Sequence, residues 1–319
     1  MGWEMVNLQI RGKAWHAARF RFDCGCKFTG TAMNPYRQFV SSFARLTASG
    51  KSLPLGGIAP RHNSKPAAGA PVALIFSPHP DDECITGGFA LRLMREAGIR
   101  VINVAVTLGS DKKRRPSRRR ELKNACDYLG FELELAAPDG LEKINPQSRA
   151  NNPKYWNAAA KTIAALLAKH QPHVVFFPHD LDWNKTHTGT HFLLMDALKT
   201  LPSNFQTTLV ETEFWGQMPS PNLLVESSVE DVADLVAAVS FHAGEMRRNP
   251  YHLRLPSWLQ DNVRRAELVG GPGSPAPDFT FATLYRLHQW KNGRVQNIYS
   301  RGKIMSASEN PAGIFNAVR

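Results

Sequence analysis

Between residues 71 and 212, runs of consecutive apolar residues alternate with stretches whose apolar positions recur every three to four residues. VALIFS at 72–77, VINVAV at 101–106 and VVFFP at 174–178 are continuous apolar runs of strand length. Such runs are what parallel strands covered on both faces require. The first two lead into helical patterns, and the third is preceded by YWNAAAKTIAALLAKH at 155–170. RRRELKNACDYLG at 118–130 reads as a helix with Gly130 placed to end it, and FELEL at 131–135 as a short strand. A further strand is predicted within 206–215 and one helix across VEDVADLVAAVSFHAGEM, 229–246. The alternation predicts an α/β fold, a Rossmann-like open, mostly parallel sheet flanked by helices. Ligands of such sheets bind beyond the carboxyl ends of the strands.

Outside this stretch the pattern changes. Residues 1–32 show no sustained period and precede Met33, which predicts that Met33 is the start and that 1–32 are a spurious or disordered extension. Residues 33–70 read as a helix, NPYRQFVSSFARLTA, followed by a linker rich in Ser, Gly, Pro and Ala. The main domain is expected over 71–319, its C-terminal part covering the sheet edge and shaping the pocket. Trp258, Tyr285 and Trp290 in that part read as core aromatics, with sugar stacking as their alternative use.

Composition narrows the class. No apolar run approaches the roughly 20 residues needed to cross a bilayer, and the first thirty residues lack the pattern of a secretory signal, so a cytoplasmic location is expected. Four cysteines in 319 residues make no disulfide framework, and the Cys24–Cys26 pair has no second pair at zinc-finger spacing. The net charge is +12, of which KKRRPSRRR at 112–120 supplies seven positive charges and the rest of the chain five. That run reads as a solvated segment entering a helix; with no aromatics interleaved, nucleic-acid binding is not expected.

The chemistry gathers at two predicted strand ends. After VALIFS comes PHPDDE, with His79, Asp81, Asp82 and Glu83 within five residues. After VVFFP comes HDLDWNKTHTGTH, with His179, His187 and His191. So many ionisable groups at a buried edge need a compensating partner such as a metal. A catalytic zinc site takes three His or carboxylate ligands and leaves a fourth position for water. His79 and Asp82 can supply two, and His187, His191 or His179 the third. Asp81, beside the metal but not on it, is placed to act as general base. Glu83 falls where a helix starts, favoured there by the dipole.

SPHPDDECITGG, 77–88, resembles the signature of the LmbE-like, or PIG-L, family of zinc-dependent N-acetylglucosaminyl deacetylases, an AHPDDE-type sequence after the first strand. RRRELKNACDYLG resembles that family's Arg-x-x-Glu-Leu helix, and NKTHTGTHFLLMDAL its second motif, His-Pro-Asp-His followed by a helix. The resemblance implies that His79, Asp82 and His187 bind Zn2+, that Asp81 is the general base and that Arg118 meets the substrate. Two positions depart from it: Asn184 stands where the family has a histidine that polarises the carbonyl or protonates the leaving amine, and Thr186 stands where it has an aspartate. Asparagine can donate a hydrogen bond but cannot deliver a proton at neutral pH, so the acid is expected to be His191, His242 or Asp81 itself. The implied activity is removal of an N-acetyl group from a small amino-sugar conjugate. The alternatives are a zinc hydrolase of another amide or ester and a catalytically silent binder of anionic partners through 112–120. A homo-oligomer is left open.

Overall fold

A computed structural model describes residues 34–60 and 66–318. The expected extension 1–32, Met33 and the Cys24–Cys26 pair lie outside the described residues. The chain divides into residues 1–48 and 49–319. Helix α1 (Tyr36–Gly50) begins in the first unit and carries Tyr36, Phe39, Val40, Phe43 and Leu46 at helical spacing, all exposed.

In the second unit, chain order runs β1 (Val72–Ser77), α2 (Asp82–Ile85), α3 (Phe89–Ala97), β2 (Arg100–Ala105), α4 (Arg115–Leu129), β3 (Glu132–Leu135), α5 (Pro146–Asn151), α6 (Pro153–His170), β4 (Val174–Pro178), α7 (Lys185–Leu198) and β5 (Thr207–Thr212). There follow β6 (Leu223–Ser227), α8 (Val229–Ser240), α9 (Ala243–Arg248), α10 (Leu255–Arg264), α11 (Glu267–Gly270), β7 (Phe281–Lys291), β8 (Arg294–Asn297) and β9 (Lys303–Met305). The sheet order is β3-β2-β1-β4-β5-β7-β6-β9, with β8 paired to β7. Strands β3 to β5 are mutually parallel, whereas β7 runs antiparallel to both β5 and β6. It is the open, mostly parallel α/β sheet that the alternation predicts.

Burial follows from strand position. β1 and β4 lie at the centre, and every residue of each is buried. Their side chains alternate between two cores: Ala73, Ile75 and Phe176 face α3, α4 and α8, while Leu74, Phe76 and Phe177 face α6 and α7. β3, at the edge, exposes Glu132 to Arg100 and Glu134 to Lys169 and His170.

The order reverses between β1 and β4: from β1 the chain proceeds outward to β2 and β3, then returns to β4 and proceeds to β5 on the other side. The carboxyl ends of these two strands therefore diverge into opposite layers and leave a crevice. Both predicted chemical clusters emerge there.

One expectation is corrected and another is extended. The helix predicted over 229–246 is interrupted: α8 ends at Ser240 and α9 starts at Ala243, because His242 turns inward to place Nε2 2.7 Å from Glu83 Oε1. The C-terminal part does more than cover an edge, since β7 is an interior strand whose Tyr285 and Trp290 are core residues. Gly87 records how closely β7 approaches the site: its φ is +84°, and a Cβ there would meet Thr283 Oγ1 at 2.3 Å and the Tyr285 hydroxyl at 2.7 Å. Among the described residues no helix is long and apolar enough to cross a membrane.

Candidate active site

The turn after β1 is built around two buried carboxylates. Asp82 opens α2, and its Oδ2 accepts the His79 backbone N–H at 2.8 Å, folding the PHPDD turn back on itself. Asp81 takes a φ of 115°, on the positive, left-handed side that a residue with a side chain rarely adopts. Such a conformation costs on the order of 1–3 kcal/mol and persists only where surrounding contacts fix it. Here Glu83 does so: Oε2 accepts the Asp81 N–H at 2.9 Å, while Oε1 meets His242 and accepts from Cys84 Sγ at 3.2 Å. Glu83 is thus a fully buried hub more than a helix-starting charge on a four-residue helix.

Across the crevice α7 is capped by Asn184, whose Oδ1 accepts the Thr186 N–H at 2.9 Å. The cap aims the first turn of α7, and with it His187, at the β1 turn. His79 Nδ1 lies 3.2 Å from His187 Nε2 and 3.4 Å from Asp82 Oδ2, and the third side, His187 Nε2 to Asp82 Oδ2, is 3.3 Å. Three ligands on a tetrahedral ion at about 2.0–2.1 Å would stand roughly 3.3–3.4 Å apart, so the triangle fits one face of such a site.

Charge supports the same reading. Asp82 is held well below its usual range: burial opposes ionisation, but His187 and His79 outweigh it. Burial likewise disfavours a charged His187, yet Asp82 and then Asp182 raise it to about 9. The space between these groups favours positive charge, which a metal cation supplies as well as a proton. His187 Nδ1 faces Asp182 Oδ2 at 3.5 Å, beyond a good hydrogen bond but close enough to favour the tautomer that leaves Nε2 free to ligate. Asp182 is itself fixed by the N–H groups of Asn184 at 2.7 Å, Trp215 at 3.1 Å and Gly216 at 3.2 Å.

A cavity of about 640 Å³ opens over the triangle. Asp81 lines it, accepts from the Tyr251 hydroxyl at Oδ2, and stands 3.8 Å from Arg118 Nη2. Burial and then Asp82 raise the Asp81 carboxyl to about 7, against the lowering influence of His242, Arg118 and Tyr251. The phenol of Tyr251 is pushed far above its usual range by burial and by Asp81, so it remains a donor. Arg118 also donates to Pro80 O at 2.8 Å, bracing the turn.

The basic run is not simply solvated. The half-buried Arg115 and Arg118 and the exposed Lys112, three apart, line the cavity, while Arg119 and Arg120 lie outside it. Glu142 pairs with Arg115 at 2.7 Å and with Lys112 at 3.2 Å, so the charge is turned inward and partly compensated.

The structure therefore brings together His79, Asp81, Asp82, Arg118, Asn184 and His187. It does not bring His191, whose Nδ1 lies 3.0 Å from Pro178 O and whose ring packs on Phe177 and Phe192. His179 is also structural, with Nε2 2.9 Å from Gly216 O. His242 contacts Glu83 and not the cavity. Sequence reasoning missed Asp182 and Tyr251. Asp182 could have been suspected from its place between the strand end and His187, whereas nothing in PYHLRL marks Tyr251.

The family model described as GlcNAc-PI de-N-acetylase, PIG-L, matches residues 74–198. A search of curated proteins finds no match. Among solved structures, a conserved protein of Thermus thermophilus is 17% identical with a TM-score of 0.51, covering 68% of this chain and 94% of that one. The N,N'-diacetylchitobiose deacetylase of Pyrococcus horikoshii is 16% identical with a TM-score of 0.50, covering 83% of this chain and 96% of its own. The 4-carboxy-2-hydroxymuconate hydratase of Pseudomonas putida is 19% identical with a TM-score of 0.50, covering 68% and 95%. Likeness at this level concerns the fold, which carries more than one reaction.

Proposed function

We propose that this chain, whose residues 74–198 match the PIG-L de-N-acetylase family model, is a zinc-dependent hydrolase that removes an N-acetyl group from an amino-sugar conjugate. The observation that carries the reading is the triangle of His79 Nδ1, Asp82 Oδ2 and His187 Nε2, with sides of 3.2–3.4 Å, opening into a cavity lined by Asp81.

His79, Asp82 and His187 would hold Zn2+, which when bound polarises the scissile carbonyl and makes a water more acidic. Asp81 takes the proton from the attacking water. Its backbone, held by the Glu83 contact to the Asp81 N–H, sets the carboxylate into the cavity beside the ligand triangle, where a base is needed. As Asp81 becomes protonated, its attraction for the Tyr251 hydroxyl falls, and that hydroxyl is released to donate to the carbonyl oxygen as charge develops there. Asn184, with Oδ1 committed to the helix cap, can offer only its amide NH2 to the same oxygen. The leaving nitrogen needs a proton. Of His191, His242 and Asp81, only Asp81 lines the cavity, so Asp81 passes on the proton that it took from water. Arg118 steadies the Asp81 turn and contributes to the substrate-facing wall.

The test is metal analysis combined with acetate release from a panel of N-acetylated glycoconjugates. The native protein should bind one zinc and release acetate; Asp81→Asn should retain the zinc and lose nearly all turnover; His187→Ala should lose both. Undiminished acetate release by Asp81→Asn would end this mechanism.

A further inference from the structure

Helix α1 (Tyr36–Gly50) precedes residues 74–198, the stretch that the family model matches, and its apolar and polar residues fall on opposite sides. At about 100° per residue, Tyr36, Phe39, Val40 and Phe43 share one arc of roughly 100°, and Arg37, Gln38, Ser41, Ser42 and Arg45 occupy the other side. Tyr36 is 72% and Phe39 71% exposed, and neither Val40 nor Phe43 is buried. Three aromatic rings and a valine standing together in water mark a surface that something covers.

The charge around this face says what covers it. From Cys24 to Pro80 the sequence holds Lys27, Arg37, Arg45, Lys51, Arg61 and Lys65 and no aspartate or glutamate. Arg37 and Arg45 stand on α1, Lys51 directly follows it, and all three are exposed. A one-signed charge spread along the chain suits a continuous anionic surface. A partner helix would be specified differently. Tyr36, Phe39 and Phe43 have the spacing of a coiled-coil seam, but the flanking positions that set partner choice hold Val40, Ser42, Thr47 and Ser49, none of them charged. The helix also offers about two heptads where a coiled coil sustains at least three. Nor does it span a bilayer, since 15 residues rise about 22 Å against a hydrocarbon core of roughly 30 Å.

We propose that α1 is an interfacial helix that lies flat on an anionic lipid bilayer, its aromatic face sunk at the boundary of headgroups and acyl chains and Arg37, Arg45 and Lys51 set against lipid phosphates. A helix of this length is marginal in water, and the bilayer supplies the apolar partner that its face needs. The anchor uses none of the residues assigned to the reaction.

The experiment is co-sedimentation of the full-length protein with vesicles of phosphatidylcholine, alone or mixed equally with phosphatidylglycerol, at about 0.1 M and about 0.5 M salt. The wild-type protein should bind the mixed vesicles at least about tenfold more tightly than the neutral ones, and the higher salt should remove most of that difference. Replacing both phenylalanines, Phe39→Ser with Phe43→Ser, keeps every charge and should weaken binding to the mixed vesicles at least about tenfold. Replacing both arginines, Arg37→Gln with Arg45→Gln, should weaken it about 25-fold, about fivefold per charge. These are surface changes, so the thermal midpoint of each variant should stay within about 2 °C of wild type. No binding to the mixed vesicles, equal binding to both compositions, or a double-serine variant that binds like wild type overturns the anchor. A large fall in the thermal midpoint of that variant also overturns it, by showing that the protein itself covers the face. So does a dimer, seen by light scattering, that the same variant dissolves, which would assign the face to a second copy of the chain.

Discussion

Replacing Asp182 by asparagine removes one charge and one acceptor from behind His187 while keeping the shape of the side chain. The carboxylate accepts three backbone N–H groups, one at Oδ1 from Asn184 and two at Oδ2 from Trp215 and Gly216, and Oδ2 also faces His187 Nδ1 at 3.5 Å. An amide can keep its oxygen on the Oδ2 side, in which case its NH2 opposes the Asn184 N–H, 2.7 Å away in the native protein. Turned the other way, the NH2 would oppose three donors, so the first arrangement prevails. It sacrifices one hydrogen bond at the cap of α7, costing about 1–3 kcal/mol of stability. With roughly 2–4 °C per kcal/mol for a domain of this size, the metal-free Tm should fall by about 2–12 °C. The second consequence is at the metal: His187 loses the anion that fixes its tautomer and raises its basicity, which weakens zinc about 10- to 100-fold, or roughly 1.4–2.8 kcal/mol. A competition titration against a chromogenic chelator, run on the folded variant, measures this directly. Zinc affinity within twofold of wild type, in a protein that retains its native circular dichroism, would refute the assignment of Asp182 as the group behind the ligand.

Other expectations follow from particular contacts. A Cβ at Gly189 would stand 2.5 Å from Ile144 O and 2.6 Å from Asn145 N, so Gly189→Ala must push α7 off this loop by about 0.9 Å to reach ordinary contact. The overpacking costs about 1–3 kcal/mol against a helix-propensity gain of roughly 0.5–1, so denaturant titration should show net destabilisation, with weaker zinc binding because His187 moves too. Tyr251→Phe should lower kcat about a hundredfold with zinc retained, as removal of a transition-state donor does; unchanged kcat would exclude the hydroxyl from the reaction. Burial lowers His191 to about 4, so the unfolded chain binds the proton that the folded one refuses between pH 6.5 and 4. That contribution to stability is full above pH 6.5 and is lost as pH falls through the window, amounting to about 3 kcal/mol. His191→Asn, whose amide NH2 takes the place of Nδ1 and can still donate to Pro178 O, should flatten the acid limb of stability against pH. An identical limb would show that His191 does not titrate there.

Much of the architecture was legible because it rests on short-range pattern. VALIFS and VVFFP could be read as central strands because a strand buried on both faces must be apolar throughout. Gly130 ends α4 with φ at 82°, the αL turn its position implied. The helix predicted across 229–246 was misread because its apolar period continues through a break that exists only to bring His242 to Glu83, 159 residues away in sequence. The basic run was read as mostly solvated, with Arg118 assigned to the site only through the family resemblance, because a list of charges does not say which residues face a cavity; that Lys112 and Arg115 line it together with Arg118 follows only once β2 and β3 place the start of α4 beside the crevice.

By itself the sequence determined that ionisable residues gather at two strand ends, that the sheet is mostly parallel, and that the cluster after β1 contains more carboxylate than an unassisted interior tolerates. These are consequences of neighbouring residues, of continuous apolar runs and of the helical period of 3.6. The residue pattern left His179, His187 and His191 open as third ligand and only the family resemblance pointed to His187; the reason came from the tertiary structure, in which His179 turns to Gly216 O after β4 and, of the two histidines on α7, His187 faces Asp82 while His191 faces Pro178 O. Tertiary structure alone supplied Asp182 behind the ligand and Tyr251 on Asp81. Those groups come from loops and a C-terminal segment far along the chain, and distance in space between such segments is fixed by the packing of the whole sheet, which no local pattern encodes.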